Sequence, residues 1–328
     1  MNLYKIPKIM LNIGFESSVN YDDMKHLSSL SYDELELVLF ANDKDDRNSY
    51  TIKKAFAIDE LQTSSQIKKG AYELALNLKN DNVIYAEVVV TPALHMKEGL
   101  TCEEIINAVK KGFKQAECDG FNILLGTFKN AEMALNLEII SLYEKYKNDG
   151  VCGIAFIGES IAKRVHDLSD LIDKLNEKEI PFSFECGKYD TEEDIRYLIR
   201  RNVKRIVGGL NSMIDFSVMA EAILKRILFV ERPKALIAKK ELKNYMDDSL
   251  KKMTTSGGLL TISIDSLTIE NISLSDELSH IRDVQMYNDN DILTMNKNAL
   301  IYSFLDIDKK TKYSMEISKF EDSEKKLN

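Results

Sequence analysis

Short apolar runs alternate with amphipathic stretches along most of the 328-residue chain. The runs are rich in Val, Ile, Leu and Phe, and the stretches between them place apolar residues at helical spacing. This alternation predicts βαβ units around a parallel sheet. The predicted strands are residues 6–15, 83–90, 122–128, 153–158, 181–186, 205–209, 227–230 and 259–265. About eight such strands fit a closed (β/α)8 barrel, the TIM barrel, better than an open doubly wound sheet.

Helices are predicted between these strands and at both ends of the chain. The helical segments are residues 21–41, 51–79, 101–116, 130–148, 161–176, 191–201, 214–225 and 239–253, with an all-helical tail from Ser273. A charged loop is predicted at 42–50, and the mixed-charge run 319–328 is expected to fray. No internal repeat or low-complexity linker marks a boundary. We therefore expect residues 1–328 to form one α/β domain, a barrel with extra N-terminal and C-terminal helices.

Composition narrows the choice of partners and compartment. The net charge of −9 argues against nucleic acid or an anionic membrane surface as a partner. No apolar run approaches the roughly 18 residues that a membrane span needs, and the first residues lack the apolar segment of a signal peptide. The four cysteines are far apart and form no Cys-x-x-Cys, which favours free thiols in a reducing compartment. We therefore expect a cytoplasmic protein.

One carboxylate interrupts the otherwise apolar strand predicted at 83–90. Glu87 lies in the middle of this run, where an unpaired carboxylate is costly. Barrel enzymes carry site residues near the carboxyl ends of their strands, so Glu87 could belong to a site. It could equally be a core residue paired with a neighbouring strand. The sequence leaves both interpretations open.

The segment around this residue reads Tyr85-x-Glu87-x-x-x-x-Pro92-x-x-His95. It resembles the second barrel strand of the adenosine deaminase family, which commonly reads Tyr-x-Glu-x-Arg-x-x-Pro-x-x-His. Val89 stands where the family has Arg, and His95 matches a residue that we take to be structural. The resemblance implies a TIM barrel that deaminates purine nucleosides with a bound zinc ion.

The zinc-binding histidines of that family are missing at the matching positions. The family's first strand reads Pro-Lys-x-x-Leu-His-x-His, and here Asn12 and Gly14 replace the two histidines. Its fifth strand ends in His-Ala-Gly-Glu, where the His binds zinc and the Glu shuttles a proton. Here Glu185 replaces that ligand and Lys188 replaces the proton shuttle. The resemblance therefore covers the framework but not these catalytic groups.

Two further strand ends show the same pattern. The family's sixth strand carries a His that polarises the attacking water, and Gly208 stands in its place. At the eighth strand Asp265 aligns with a zinc-binding Asp, while Ser266 replaces an Asp that contacts substrate. Gly158 matches a family glycine and is expected to line the pocket. A catalytic zinc needs about three His or carboxylate ligands. We therefore predict no cofactor, with Asp265 as the one metal-ligand position that is retained.

Polar residues at the strand ends have both functional and structural interpretations. Lys188 could contact an anion, or Glu185 and Asp265 could hold a hard cation. We favour the alternative that Glu185 and Lys188 form an ion pair, because charges in enclosed space are usually paired. Asn12 and Glu16 could bind a ribose, since Glu16 matches the Asp after the family's His-x-His, or backbone groups could satisfy them.

Three functional hypotheses follow. The leading one is a catalytically inactive adenosine deaminase homologue, a pseudoenzyme, whose pocket binds a nucleoside-like ligand or whose surface binds a protein partner. The alternative is an enzyme with zinc-independent chemistry at Glu87, Glu185, Lys188 and Asp265. The third is a scaffold or subunit that acts beside an active paralogue. The candidate partners are a nucleoside-like small molecule, another protein, or further copies of this chain in a homo-oligomer. The candidate pocket residues are Asn12, Gly14, Glu16, Glu87, Gly158, Glu185, Lys188 and Asp265.

Overall fold

A computed structural model describes residues 1–16, 19, 21–39, 46–118, 120–158, 165–210, 213, 215–247 and 249–327. Eight parallel strands follow one another in chain order in a single sheet. They are β1 (Lys8–Gly14), β2 (Val83–Val90), β3 (Asn122–Phe128), β4 (Val151–Ile157), β5 (Phe182–Glu185), β6 (Arg205–Val207), β7 (Leu228–Glu231) and β8 (Leu259–Ile262). The first and last strands approach each other closely, since a Cβ on Gly14 would lie 3.2 Å from the carbonyl oxygen of Asp265. The predicted TIM barrel is confirmed.

Helices surround this sheet and extend beyond it at both ends of the chain. The α-helices among the described residues are α1 (Tyr21–Lys25), α2 (Tyr32–Leu39), α3 (Arg47–Asp59), α4 (Ser64–Asn80), α5 (Cys102–Gln115), α6 (Met133–Tyr146), α7 (Ser169–Glu177), α8 (Glu192–Arg200), α9 (Phe216–Leu224), α10 (Pro233–Ala238), α11 (Leu250–Thr255), α12 (Leu267–Glu270), α13 (Leu274–Gln285), α14 (Asp289–Tyr302) and α15 (Ile307–Leu327). Short 3₁₀ turns lie at Leu3–Lys5, Pro92–Leu94, Val165–Leu168 and Tyr245–Asp247. Within the described part of the chain, no helix has the length and apolar character that a membrane span requires.

Strand β2 illustrates why the sheet forms where the apolar runs predict it. Seven of its eight residues are buried, as expected for a parallel strand that helices cover. Val88 belongs to the same apolar cluster as Leu74 of α4 and Ile105 of α5. Pro92 follows the strand and begins a 3₁₀ turn, because it has no N–H to donate to a neighbouring strand.

Three helix predictions were wrong in their extent. The segment 51–79 is two helices, since α3 ends at Asp59 and Thr63 opens α4 with its own capping box. The segment 21–41 is likewise divided into α1 and α2. The predicted helix 239–253 is not continuous either: α10 ends before it at Ala238, and the segment itself holds a 3₁₀ turn (Tyr245–Asp247) and the start of α11 (Leu250–Thr255). The break follows Lys239, because Lys240 adopts a left-handed φ of 56° that an α-helix cannot continue through.

The C-terminal tail also differs from its prediction, and some predicted segments cannot be compared with the structure. Helix α15 continues to Leu327, so the run after residue 319 is helical rather than frayed. Residues 40–45, 161–164 and 214, which belong to the predicted helices and charged loop, lie outside the described residues, as does Asn328.

The segment between α14 and α15 closes the amino end of the barrel. Arg205, the first residue of β6, donates through Nη2 to the carbonyl oxygen of Tyr302. The Phe304 ring lies 3.8 Å from the same guanidinium.

Candidate functional site

A cavity of 630 Å³ lies at the carboxyl ends of the strands. Asn12, Gly14, Glu16, Gly158, Glu185, Gly208 and Asp265, all singled out from the sequence, line it. Helix α3 forms another part of the wall through Tyr50 and Lys54, and Arg232 and Lys239 line it from the region after β7. The strand ends thus bring most of the candidate residues together.

Arg232 joins two strand ends across the cavity. Its Nη1 donates to Asp265 Oδ1 at 2.7 Å, and its Nη2 donates to Glu185 Oε1. The other oxygen of Glu185 accepts the Gly158 N–H at 3.0 Å. Pro233 follows Arg232 and starts α10, which holds the arginine at the junction of strand and helix. The partner of Glu185 is therefore Arg232, and the Glu185–Lys188 ion pair that we favoured from the sequence was wrong.

Asp265 is surrounded by donors. Besides Arg232, it accepts from Lys54 Nζ at 3.3 Å, from Lys239 Nζ at 3.2 Å and from the Tyr50 hydroxyl at 3.0 Å. Burial alone would raise the pKa of this carboxyl, but the three cations hold it well below its usual range. The same balance of burial against the Arg232 charge lowers the pKa of Glu185. Both carboxylates are therefore ionised at neutral pH.

A third carboxyl, that of Glu270, lies behind this cluster. The Tyr50 oxygen is 2.8 Å from Glu270 Oε1 and 3.0 Å from Asp265 Oδ2. One hydroxyl carries one hydrogen, so it cannot donate to both carboxylates at once. Burial and then the Asp265 charge raise the pKa of Glu270 to about 8. A proton on Glu270 resolves the conflict, since Glu270 then donates to Tyr50 and Tyr50 donates to Asp265.

Asn12 replaces one of the zinc-binding histidines implied by the resemblance. Its Nδ2 donates to Ser183 Oγ at 2.7 Å, and its Oδ1 accepts from Arg205 at 3.1 Å. Both ends of the amide are thus used by neighbouring side chains inside the barrel. An amide in this arrangement does not turn a free donor atom towards a metal.

The remaining positions of the implied zinc site do not fit a metal either. Gly14 has no ligating side chain, and the Lys54 ammonium lies 3.9 Å from the place where its Cβ would be. Glu185 and Asp265 already bind Arg232. Among the described residues, no three His, Cys, Asp or Glu side chains are grouped so that they could hold a metal ion. A dication placed here would also meet three fixed positive charges, which repel it.

Glu87 is not part of the cavity wall, and its assignment as a pocket candidate was wrong. It forms a fully buried ion pair with Arg205 and accepts a hydrogen bond from the Tyr85 hydroxyl at 3.2 Å. The Phe304 N–H also donates to it. The core interpretation therefore describes Glu87, because its carboxylate neutralises an arginine that is sealed inside the barrel.

Two other candidates also lie away from the cavity. The side chain of Lys188 is exposed, and its Nζ lies 6.0 Å from the centre of the Tyr189 ring. Ser266 caps α12, where its Oγ accepts the Ile269 N–H at 3.0 Å. The zinc-independent enzyme hypothesis needs Glu87 and Lys188 in one cavity with the other carboxylates, and the structure separates them.

An apolar wall and an anchored loop complete the cavity. Val89, Phe128 and Ile157 contribute apolar surface to its lining. The loop after β5 is fixed by a buried ion pair, in which Lys129 Nζ lies 2.9 Å from Asp190 Oδ2. The cavity therefore combines an apolar surface with a cluster of charges on a rigid frame.

Sequence reasoning missed the cations of the site. Arg232 follows a predicted strand, so its position at a strand end was an available signal. Tyr50 and Lys54 lie on α3, and Lys239 follows α10. Their approach to the cavity depends on how helices cross the barrel mouth, and no local sequence pattern reports this.

Comparison with known proteins assigns the chain to a family. The profile of the adenosine deaminase family matches residues 10–320. An adenosine deaminase of Clostridium botulinum (strain 657) is 27% identical over 295 residues, covering 85% of this chain and 88% of that protein. The Arabidopsis protein ADAL in complex with IMP shares the fold with a TM-score of 0.86 at 15% identity, covering 97% of both chains. A Burkholderia ambifaria amidohydrolase with bound Zn has a TM-score of 0.86 at 14% identity, covering 98% of this chain and 93% of that one. This chain belongs to the adenosine deaminase family.

Proposed function

We propose that this chain is a non-catalytic member of the adenosine deaminase family that binds a nucleoside-like ligand. The observation that carries the proposal is the position of Arg232, which pairs with both Glu185 and Asp265. These two residues match zinc-ligand positions of the family. A fixed monovalent cation therefore stands between groups that would otherwise hold a dication.

The chemistry of the replaced groups supports a loss of deamination. A metal accelerates such hydrolysis by lowering the pKa of its bound water to about 7. A guanidinium has only N–H donors, so it cannot coordinate and ionise a water in that way. Lys188, at the position of the proton shuttle, is exposed and outside the cavity. Neither an activated water nor a shuttle is thus provided by these residues.

The cavity supports a binding role. Its 630 Å³ falls within the roughly 300–1,000 Å³ of small-molecule sites. The apolar lining residues Val89, Phe128 and Ile157 suit a flat heterocycle, and the polar lining residues suit its substituents. A structural relative, Arabidopsis ADAL, binds IMP. The four described cysteines are free and buried, in keeping with a reducing cytoplasmic setting.

Metal analysis and turnover on one preparation test this proposal. The protein is purified in zinc-containing buffer, dialysed and analysed for metal, and ammonia release from adenosine is then followed. The Clostridium botulinum adenosine deaminase, prepared in parallel, is the control. We expect substoichiometric zinc and no ammonia release from this chain, together with calorimetric binding of a purine nucleoside. Stoichiometric zinc with deamination would overturn the proposal.

A further inference from the structure

Two lysine side chains present spare donors to the cavity. Lys54 and Lys239 both line it, and their side chains are 29% and 20% exposed. Among the described residues, Asp265 is the one carboxylate with which each ammonium pairs. An ammonium has three N–H donors and no acceptor. At least one N–H of each lysine therefore remains for a ligand. The two ammonium groups are close together, because Lys54 donates to Oδ1 of Asp265 and Lys239 donates to Oδ2 of the same residue.

Charge balance decides which kind of ligand atom these donors suit. The cavity lining has three positive charges in this cluster and three negative charges to balance them. The cations are Arg232, Lys54 and Lys239, and the carboxylates are Glu185, Asp265 and Glu16. Glu16 is held in place because its Oε1 accepts the Thr91 N–H at 2.6 Å. The cluster therefore has no excess positive charge to attract a phosphate. It does have unused hydrogen-bond donors. A neutral oxygen acceptor satisfies them without adding uncompensated charge.

We infer that Lys54 and Lys239 select ligands that present a carbonyl oxygen over ligands that present an amino group at the same position. The inference rests on the proposed function and assigns the class of nucleoside. An amino group that faces an ammonium places two hydrogen-bond donors against each other, so neither donor has an acceptor. Among purine nucleosides the matched pair is inosine, with a 6-oxo group, and adenosine, with a 6-amino group. The site is thus expected to bind oxopurine nucleosides.

Isothermal titration calorimetry with inosine and adenosine tests this preference. We expect inosine to bind about tenfold more tightly, which is the scale of one net hydrogen bond of about 1 kcal/mol. Lys54→Met and Lys239→Met should each narrow the ratio of the two dissociation constants. Lys188→Met removes an exposed lysine outside the cavity, so it should leave the ratio unchanged.

A second variant protects the test against misfolding. In Lys54→Gln the side chain keeps a donor and gains an acceptor, so a folded protein, verified by its melting temperature, should lose discrimination while still binding both nucleosides. Equal affinities for inosine and adenosine in the wild type would overturn the inference and leave the proposed function intact. Binding of neither nucleoside would overturn both. If inorganic phosphate raised the melting temperature of the wild type but not of Lys54→Gln, the lysine would belong to an anion site, and this result would overturn the inference.

Discussion

Removing Arg232 should destabilise the protein mainly through Glu185. Breaking a buried ion pair from one side costs about 3–5 kcal/mol. Asp265 retains three further donors from lysine and tyrosine side chains, so the arginine is not its sole compensation. Glu185 retains only the Gly158 N–H among the described residues. Because the Arg232 side chain is 12% exposed and Glu185 is 23% exposed, we expect Arg232→Met to lower the free energy of unfolding by about 3 kcal/mol, the lower end of that range.

Urea unfolding of three variants measures how this loss is distributed. Arg232→Met is compared with the same substitution combined with Glu185→Gln or with Asp265→Asn. Neutralising Glu185 should recover more stability than neutralising Asp265, since Asp265→Asn leaves Lys54 and Lys239 without their counter-charge. A loss below about 1 kcal/mol, typical of a surface pair, would refute the reasoning. Greater recovery from Asp265→Asn would refute it as well.

Three further predictions concern groups around the site. Glu87→Gln should lower the free energy of unfolding by about 3–5 kcal/mol in urea, because Arg205 is fully buried with it. The nucleoside affinity measured by calorimetry should not change, and a changed affinity would show that Glu87 contributes to the site. Lys129→Met should cost about 3 kcal/mol by removing the ammonium that neutralises the buried Asp190 carboxylate, and a near-neutral result would contradict that pairing. Burial raises the pKa of Glu270 from 4.5 to about 8, so the folded state holds a proton that the unfolded state releases, and stability should fall as pH rises through this window. Glu270→Gln should flatten this pH dependence in urea titrations, and an unchanged slope would contradict the assignment.

The sequence predicts the barrel well because parallel strands are buried on both faces. A strand such as β2 has to be apolar nearly throughout, and that requirement is written locally in its residues. The positions of helix ends are less strongly determined by the local sequence. The break after α10 depends on the left-handed backbone of Lys240, which is neither Gly nor Asn, so the residue type gives no warning.

The residues of the candidate site also divide into those that the sequence predicts and those that it does not. Glu185 and Asp265 were found because carboxyl ends of barrel strands converge, which follows from topology alone. Their partners were not found, since Lys54 reaches the cavity from a helix far away in the chain. The interpretation of Lys188 failed for a related reason: a residue three positions after a strand end can turn outwards with its loop. Polarity at a strand end predicts that a side chain needs a partner, but not which partner it has.

Under the proposed function, the replacement of the zinc site is a coupled change rather than a set of independent losses. Removing imidazoles without adding cations would leave Glu185 and Asp265 as uncompensated charges in an enclosed space. Adding Arg232 while a dication remained would place like charges in contact. The guanidinium and the altered ligand positions are therefore consistent only together. If the proposed function holds, this coupling explains how the barrel framework can be retained while the chemistry at its mouth changes from metal coordination to hydrogen bonding by fixed cations.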